Sequence, residues 1–184
     1  MLVVLFLFNL VGMTFNASAN SENNVWHTLS DGSKIIYFED GSTLTITAPE
    51  IVSSEPDNIE TRQTKTSHIA AFHKDADGEY EWIYTLYCTF SYEYGVSSAC
   101  TNAYYDQTIY KGNWTFSNGA TNISGNRGTG TGLYEKKFLF ITIQSINVNL
   151  TMACDIYGNI TAWSYLIVVN DSLWLIIDFH KSID

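Results

Sequence analysis

The sequence predicts an all-β protein, an antiparallel β-sandwich preceded by a small β-meander, with a β-barrel as the alternative. Two observations support this fold class. Apolar and polar residues alternate with a period of two in several segments, most regularly over residues 145–154. Gly-containing turn signals separate these segments at hairpin spacing, and no segment has the period of an amphipathic helix.

The first element, residues 1–19, is a predicted signal peptide. It contains no charged side chain, is apolar at its start and ends in Ala17-Ser18-Ala19, where Ala17 and Ala19 suit signal peptidase. The apolar run is shorter than the roughly 20 residues that a membrane helix needs. We therefore expect the protein to be secreted, with an extracellular location once the signal peptide is removed.

Two elements follow before the main domain. Residues 20–47 predict a meander, because Asp31-Gly32 and Asp40-Gly41 lie between apolar-rich runs and are typical of hairpin turns. Residues 48–66 contain both prolines, Pro49 and Pro56, among acidic residues and have no helix or strand period, which predicts a linker.

Residues 67–161 predict the sandwich domain. Large side chains alternate with smaller ones over residues 82–92, and Tyr94-Gly95 then suits a tight turn that brings the chain back as a partner strand. In residues 128–132, three glycines alternate with threonines, so we expect one face of a strand to be thin enough for a neighbouring ring to approach. The side chains expected in the core of the first strand are Trp82, Tyr84, Leu86, Cys88, Phe90 and Tyr92.

The last element, residues 162–184, is strongly apolar but is interrupted by Asn170-Asp171. A membrane span would place Asp171 near the bilayer centre at a cost of about 2.5 to 3.5 kcal/mol, so a membrane location is disfavoured. The sequence instead predicts an apolar C-terminal hairpin packed on the sandwich.

The charge composition excludes nucleic-acid binding. The chain of 184 residues has 9 Lys and Arg against 19 Asp and Glu, a formal net charge of −10. Such an acidic chain lacks the basic surface that neutralises phosphates, which excludes nucleic acid as a partner.

Motifs for catalysis are not found in the sequence. The chain has no CxxC or HExxH pattern and no phosphate-binding loop, and we predict no metal site, no cofactor and no catalytic residue. The protein is therefore predicted not to be an enzyme. A catalytic group whose members meet only in space leaves one alternative open, a hydrolase with an unrecognised site.

Aromatic residues supply the candidate binding site. Four of them, Tyr104, Tyr105, Tyr110 and Trp114, lie in a polar stretch between strands. Exposed rings there would stack on sugar faces or hold a protein partner, whereas buried ones would cover the edge of the sandwich. We select Tyr105, Tyr110 and Trp114 as the candidate binding residues.

The three cysteines allow one internal disulfide. A bond from Cys100 to Cys154 and one from Cys88 to Cys100 are both open, because loop entropy favours them almost equally, at roughly 4 and 3 kcal/mol. A three-residue loop from Glu93 to Gly95 would also place Cys88 opposite Cys100 across the hairpin.

The residues resemble a group of small secreted β-rich proteins of Gram-positive bacteria whose function is unassigned. The similarity covers residues 34–161. It implies secretion, an all-β domain and a disulfide between Cys100 and Cys154, and it implies no catalytic residue. The residues that carry it are Asp40-Gly41-Ser42, Thr61-Arg62, Thr64-Lys65-Thr66, Trp82, Thr89-Phe90, Tyr94-Gly95, Ser98-Ala99-Cys100-Thr101, Trp114, Ser124-Gly125-Asn126, Cys154-Asp155 and Gly158-Asn159.

Together these observations predict a secreted, non-enzymatic binding or interaction module that acts at the cell surface or outside the cell. Its expected partner is a cell-wall glycan or an extracellular protein. The alternative is a secreted antimicrobial or toxin-like effector that uses the apolar tail of residues 162–184.

Overall fold

The computed structural model describes residues 26–54, 62–170 and 173–183 and contains twelve β-strands. The predicted signal peptide, with Ala17 and Ala19, lies outside these residues. The strands are β1 (His27–Thr28), β2 (Lys34–Tyr37), β3 (Thr43–Ile46), β4 (Glu50–Ser54), β5 (Gln63–Lys74), β6 (Tyr80–Glu93), β7 (Ser97–Ile109), β8 (Trp114–Ser124), β9 (Arg127–Phe138), β10 (Ile141–Cys154), β11 (Ile160–Asn170) and β12 (Leu173–Ile183).

The described strands form two antiparallel sheets, which confirms the predicted all-β sandwich. The larger, seven-stranded sheet has the order β1-β2-β3-β5-β6-β7, with β4 paired to β5 beside β3. The smaller, five-stranded sheet has the order β12-β11-β10-β9-β8. Because the strands divide between two separate sheets, the alternative of a closed barrel does not form.

Alternation places the core as the sequence predicts. On β6, every second residue from Trp82 to Tyr92 is buried, and on β10 the same holds from Ile146 to Cys154. These two inner faces supply most of the large apolar side chains between the sheets, and the polar residues that alternate with them face outward.

The sheets approach closely at the glycines of β9. A Cβ atom added to Gly130 would lie 2.7 Å from the Tyr84 hydroxyl and 2.9 Å from Leu86 Cδ1, and one added to Gly132 would collide with the ring of Phe116. Tyr84 of β6 crosses the interface and donates a hydrogen bond to the Thr131 carbonyl at 3.1 Å. The glycines of β9 therefore let neighbouring side chains pack closely against this strand, as the alternation of glycine and threonine predicts.

The Asp-Gly pairs lie in tight turns, although these are three-residue loops rather than two-residue turns. In the first loop, Gly32 has φ of 83° and donates from its backbone N–H to Leu29. Only the glycine of each pair has a positive φ, so the aspartates keep ordinary backbone angles. The Asp31 carboxylate instead accepts a hydrogen bond from the Ser33 N–H at 2.8 Å, which fixes the loop.

The N-terminal part differs from the predicted meander and linker. Strands β1 to β3 do form a meander, but β3 pairs with β5, so the meander belongs to the larger sheet. Within the predicted linker, residues 50–54 form β4, and β5 already begins at Gln63. The sequence hides β4 because all of its residues are exposed, so no apolar alternation marks it.

The C-terminal residues form a hairpin of two long strands. β11 and β12 pair from Ile160 opposite Ile183 to Asn170 opposite Leu173. Every second side chain of β11 is buried in the sandwich, namely those of Ile160, Ala162, Ser164, Leu166 and Val168. The tail is thus an integral part of the smaller sheet.

Candidate functional site

The outward side of the larger sheet carries a stack of two tyrosines. Tyr87 on β6 lies directly opposite Tyr104 on β7, and their ring centroids are 4.8 Å apart with an interplanar angle of 8°. Tyr104 is 48% exposed, so one face or edge of this stacked pair is open to solvent. Because neighbouring strands hold both rings, the pair presents a flat aromatic surface with little freedom to reorient.

A histidine extends this surface across β5. His68 lies opposite Tyr87 on the other side, with ring centroids 5.5 Å apart. Its Nε2 atom lies 3.7 Å from a carboxylate oxygen of Glu50, whose side chain is 76% exposed. The His68 ring therefore adds a polar edge and a titratable group to the aromatic stack.

A second aromatic group lies toward the other end of the same strands. Tyr80 packs edge-on against Phe72 at 5.3 Å, and Tyr110 lies 5.9 Å from Tyr80. The Lys74 ammonium lies 4.3 Å from the centroid of the Tyr80 ring, a distance typical of a cation–π contact. Tyr110, 54% exposed, is the most accessible ring of this group.

We call this surface the outer aromatic face. It presents exposed rings, phenolic hydroxyls and charged edges on a sheet whose paired strands fix their positions. Such a surface suits an extended ligand with both apolar and hydroxyl groups, because the rings contact apolar faces while the hydroxyls form hydrogen bonds. Its residues are His68, Phe72, Tyr80, Tyr87, Tyr104 and Tyr110.

The three candidate binding residues from the sequence do not form one surface. Tyr110 belongs to the outer aromatic face, whereas Tyr105 points inward and stacks on Tyr84 at 5.4 Å. Trp114 is only 3% exposed and packs edge-on against Trp82 at 6.0 Å. The prediction for Trp114, and for Tyr105 as an exposed ring, is therefore corrected: both are packing residues.

A β-bulge explains why Tyr104 rather than Tyr105 faces outward. The pairing of β6 with β7 shifts between Phe90 opposite Cys100 and Thr89 opposite Asn102, so Thr101 is an extra residue. An extra residue exchanges the two faces of everything beyond it. Nothing in the local alternation of β7 marks the bulge, and a ladder without it would have placed Tyr104 opposite Leu86 on the inner side.

A second bulge builds a buried ionic cluster between the sheets. His73 pairs with Trp82 and Lys74 with Tyr80, so Glu81 is the extra residue and faces inward together with Trp82. His73 Nδ1 lies 2.7 Å from one Glu81 oxygen, and Lys136 Nζ of β9 lies 3.1 Å from the other. The three charged or titratable groups thus join the two sheets.

The buried ionic cluster is closed to ligands. His73 is fully buried and packs against Phe38, Trp82 and Trp114. Burial alone would raise the pKa of Glu81, but contact with His73 and with the Lys136 ammonium outweighs it and lowers this pKa to about 2. A carboxylate held ionised in the interior by two partners serves stability here rather than binding.

The cysteines depart from the predicted disulfide. All three are free thiols in the structure, so the bond from Cys100 to Cys154 does not form. The Cys154 thiol donates to the Asp155 carbonyl at 3.4 Å, and burial raises its pKa to about 11. Cys88 lies opposite Ala103 rather than opposite Cys100, because the hairpin loop comprises residues 94–96 instead of 93–95, which pairs Cys100 with Phe90, and the bulge at Thr101 then shifts the register by one more residue.

The outward side of the smaller sheet is different in character. It has a shallow depression of about 310 Å³ lined by amide, hydroxyl and apolar groups and no aromatic ring. Tyr165 of β11, 42% exposed, is an outward tyrosine of this sheet and lies opposite Asn149. The lining residues are Asn118, Thr131, Gly132, Leu133, Asn147 and Asn149.

The hairpin between β9 and β10 ends in an exposed apolar tip, residues 138–141. Phe138, Leu139, Phe140 and Ile141 are 66%, 79%, 99% and 67% exposed. Leu139 has φ of 56°, which a leucine rarely adopts. Exposed apolar residues on a strained turn are unfavourable in water, which makes the tip a second candidate interaction site.

Within the described residues, no group of three or more His, Cys, Asp or Glu side chains is arranged to hold a metal ion. The same part of the chain includes no helix suited to crossing a bilayer. Comparison of the chain with models of protein families, with curated proteins and with solved structures finds no match.

Proposed function

We propose that the protein is a secreted, non-enzymatic binding module that holds a cell-surface glycan on the outer aromatic face. The observation that carries the proposal is the parallel stack of Tyr87 and Tyr104, with Tyr104 half exposed on a rigid sheet. Aromatic rings are enriched where proteins bind partners, since they bury a large area at a small entropy cost.

The arrangement favours an extended polymer over a compact ligand. The stacked pair and the group around Tyr80 are separated along β6 by the residues between 80 and 87, a span of roughly 20 Å at the usual rise of a strand. A chain of sugar units bridges such a distance, and each aromatic group then contacts a different unit.

Co-sedimentation with insoluble cell-wall material tests the proposal. The full chain should sediment with the wall material and be released by soluble wall oligosaccharides. Tyr104→Ala and Tyr110→Ala should each weaken retention by roughly 2- to 10-fold, the loss of one aromatic contact. Tyr104→Phe, which keeps the ring, should retain most of the binding.

Tyr165→Ala is the matched control, because it removes a similarly exposed tyrosine from the other sheet. Equal weakening by Tyr165→Ala would move the site away from the outer aromatic face. Retention that soluble sugars do not reverse would instead favour an extracellular protein partner.

A second candidate function, a membrane-engaging effector, is favoured by the apolar tip. The sequence assigns this role to residues 162–184, but residues 160–170 and 173–183 are paired with each other within the smaller sheet. Residues 138–141 offer apolar side chains without unfolding, and Lys137 adjoins them with a 40% exposed side chain. Apolar side chains flanked by lysine are typical of segments that enter the membrane interface.

Binding to phosphatidylcholine vesicles tests this second function. Phe140→Ser should abolish sedimentation with vesicles and leave the fold unchanged, because the side chain is 99% exposed. Val96→Ser, at a 65% exposed residue in the loop at the opposite end of the sandwich, is the control and should have no effect. Failure of wild-type protein to bind vesicles would exclude the effector role of the tip.

A further inference from the structure

Two thiols meet in the interior of the sandwich beneath Gly128. The sulfur atoms of Cys88 on β6 and Cys100 on β7 both lie against this glycine, where a Cβ atom would collide with the first and lie 3.0 Å from the second. The absent side chain of Gly128 therefore creates the space that the two sulfurs share. Cys88 is fully buried, whereas Cys100 is 6% exposed.

Cys88 and Cys100 lie close together although they are not paired directly across the two strands. Residues 88 and 100 are not direct partners, since Cys88 lies opposite Ala103 and Cys100 opposite Phe90. The two thiols are diagonal neighbours on the inner sides of β6 and β7, because Cys100 is paired two residues along β6 from Cys88. The extra residue Thr101 directly follows Cys100, so the regular pairing is interrupted beside this thiol.

The two thiols also differ in chemical state. Cys88 donates a hydrogen bond to the Cys100 sulfur, which raises the pKa of Cys88, and burial raises it further. The same hydrogen bond lowers the pKa of Cys100 in spite of burial. Cys100 is also the less buried of the two, so we assign it as the thiol that meets an incoming disulfide first and attacks as the thiolate.

We propose that Cys88 and Cys100 form a redox pair that closes to a disulfide between β6 and β7 when the protein meets a low-molecular-weight disulfide such as oxidised glutathione. The Cys100 thiolate attacks one sulfur of the small disulfide and releases a thiolate, which takes up a proton. Cys88 then loses its proton and attacks the Cys100 sulfur of the mixed disulfide, which releases the second small thiol. Two protein thiols are oxidised and one small disulfide is reduced.

Cys154 stays outside this exchange. Its thiol donates to the Asp155 carbonyl rather than to another sulfur. The sulfurs that share the space beside Gly128 are those of Cys88 and Cys100, so the inference assigns these two as the pair and leaves Cys154 as a free core thiol. It is independent of the proposed glycan binding.

Tryptic mapping separates the alternatives directly. No Lys or Arg lies between Lys74 and Lys111, so trypsin releases Cys88 and Cys100 on one peptide, residues 75–111, and Cys154 on another, residues 138–181. The full chain is equilibrated with oxidised glutathione, unfolded in the presence of N-ethylmaleimide and digested without reduction. We expect peptide 75–111 without label and lighter by two hydrogens than its reduced form, and peptide 138–181 with one label.

A peptide 75–111 bonded to 138–181, or one carrying two labels, would overturn the proposal. As a second measurement, oxidation should raise the Tm of the wild type and of Cys154→Ala by roughly 6 to 12 °C, the effect of closing a 12-residue loop. Cys88→Ala should show no shift. The mapping of the wild type decides the pairing even if that variant folds poorly, and a shift that survives in Cys88→Ala would contradict it.

Discussion

Among the residues that the structure describes, two histidine–glutamate pairs lie on the two sides of the same sheet, and they have opposite characters. On the inner side, His73 and Glu81 lie 2.7 Å apart with side chains that are 0% and 5% exposed. On the outer side, His68 and Glu50 lie 3.7 Å apart with side chains that are 27% and 76% exposed. The residue types are the same, and only their position relative to the sheet differs.

The difference shows how burial decides what a polar group does. Inside, an ionised carboxylate without partners would be costly, so Glu81 is fixed by His73 and Lys136 and contributes to holding the sheets together. Outside, water competes for every contact, so the pair of His68 and Glu50 adds little stability. Its groups remain available to a ligand on the outer aromatic face.

The largest expected effect tests the inner pair. Glu81→Gln should lower the free energy of unfolding by about 3 kcal/mol, because it leaves Lys136 and His73 without the carboxylate that they share. We take the lower end of the usual range for a broken buried pair, since the Lys136 side chain is 19% exposed. Urea unfolding measures the change.

Glu50→Gln is the matched control for this prediction, because it makes the same change in the outer pair. It should lower the free energy of unfolding by less than about 1 kcal/mol. Equal losses in the two variants would remove the distinction between the inner and the outer pair.

The next effect is expected when the pH is lowered, because the contribution of the inner pair to stability depends on the ionisation of Glu81. The pKa of Glu81 falls from 4.5 to about 2 in the folded protein, so its ionised form stabilises the fold above the unfolded pKa. This contribution is lost as the pH falls from about 4.5 toward 2. The stability difference between wild type and Glu81→Gln should therefore shrink over this interval, which urea titrations at several pH values measure, and a constant difference would contradict the lowered pKa.

The sequence predicts the two strands that fill the core better than it predicts the site. The alternation over residues 82–92 and 145–154 fixes which side chains are inside, because burial repeats every second residue. Glu81 and Tyr105 fall outside this rule. Each position depends on a bulge, at Glu81 itself or at Thr101, and a bulge arises from the pairing of two strands rather than from a local pattern.

The sequence does not predict strand β4 for a related reason. All of its residues from Glu50 to Ser54 are exposed, so the strand exists through hydrogen bonds to β5 and not through an apolar face. Its placement brings Glu50 beside His68 on the outer side. The outer aromatic face thus depends on pairings that a linear pattern does not contain.

A smaller effect is expected where the inner sides of the sheets touch. Gly130→Ala should lower the free energy of unfolding by roughly 1 to 3 kcal/mol, because its Cβ would lie 2.7 Å from the Tyr84 hydroxyl and 2.9 Å from Leu86 Cδ1. Gly112→Ala is the control, since a Cβ there has no atom within 4 Å. Thermal unfolding of both variants measures the difference, and an unchanged Tm for Gly130→Ala would mean that the sheets can separate without cost.

The smallest effect on stability is expected at the outer aromatic face itself. Tyr104→Ala removes one ring of the stack with Tyr87, an interaction worth roughly 0.5 to 1.5 kcal/mol, and part of that is regained because Tyr104 is already 48% exposed. Urea unfolding should therefore show a loss below about 1 kcal/mol, while retention on wall material falls. A loss as large as that of Glu81→Gln would show that the stack supports the fold, and the outer side of the sheet would then have the same role as the inner one.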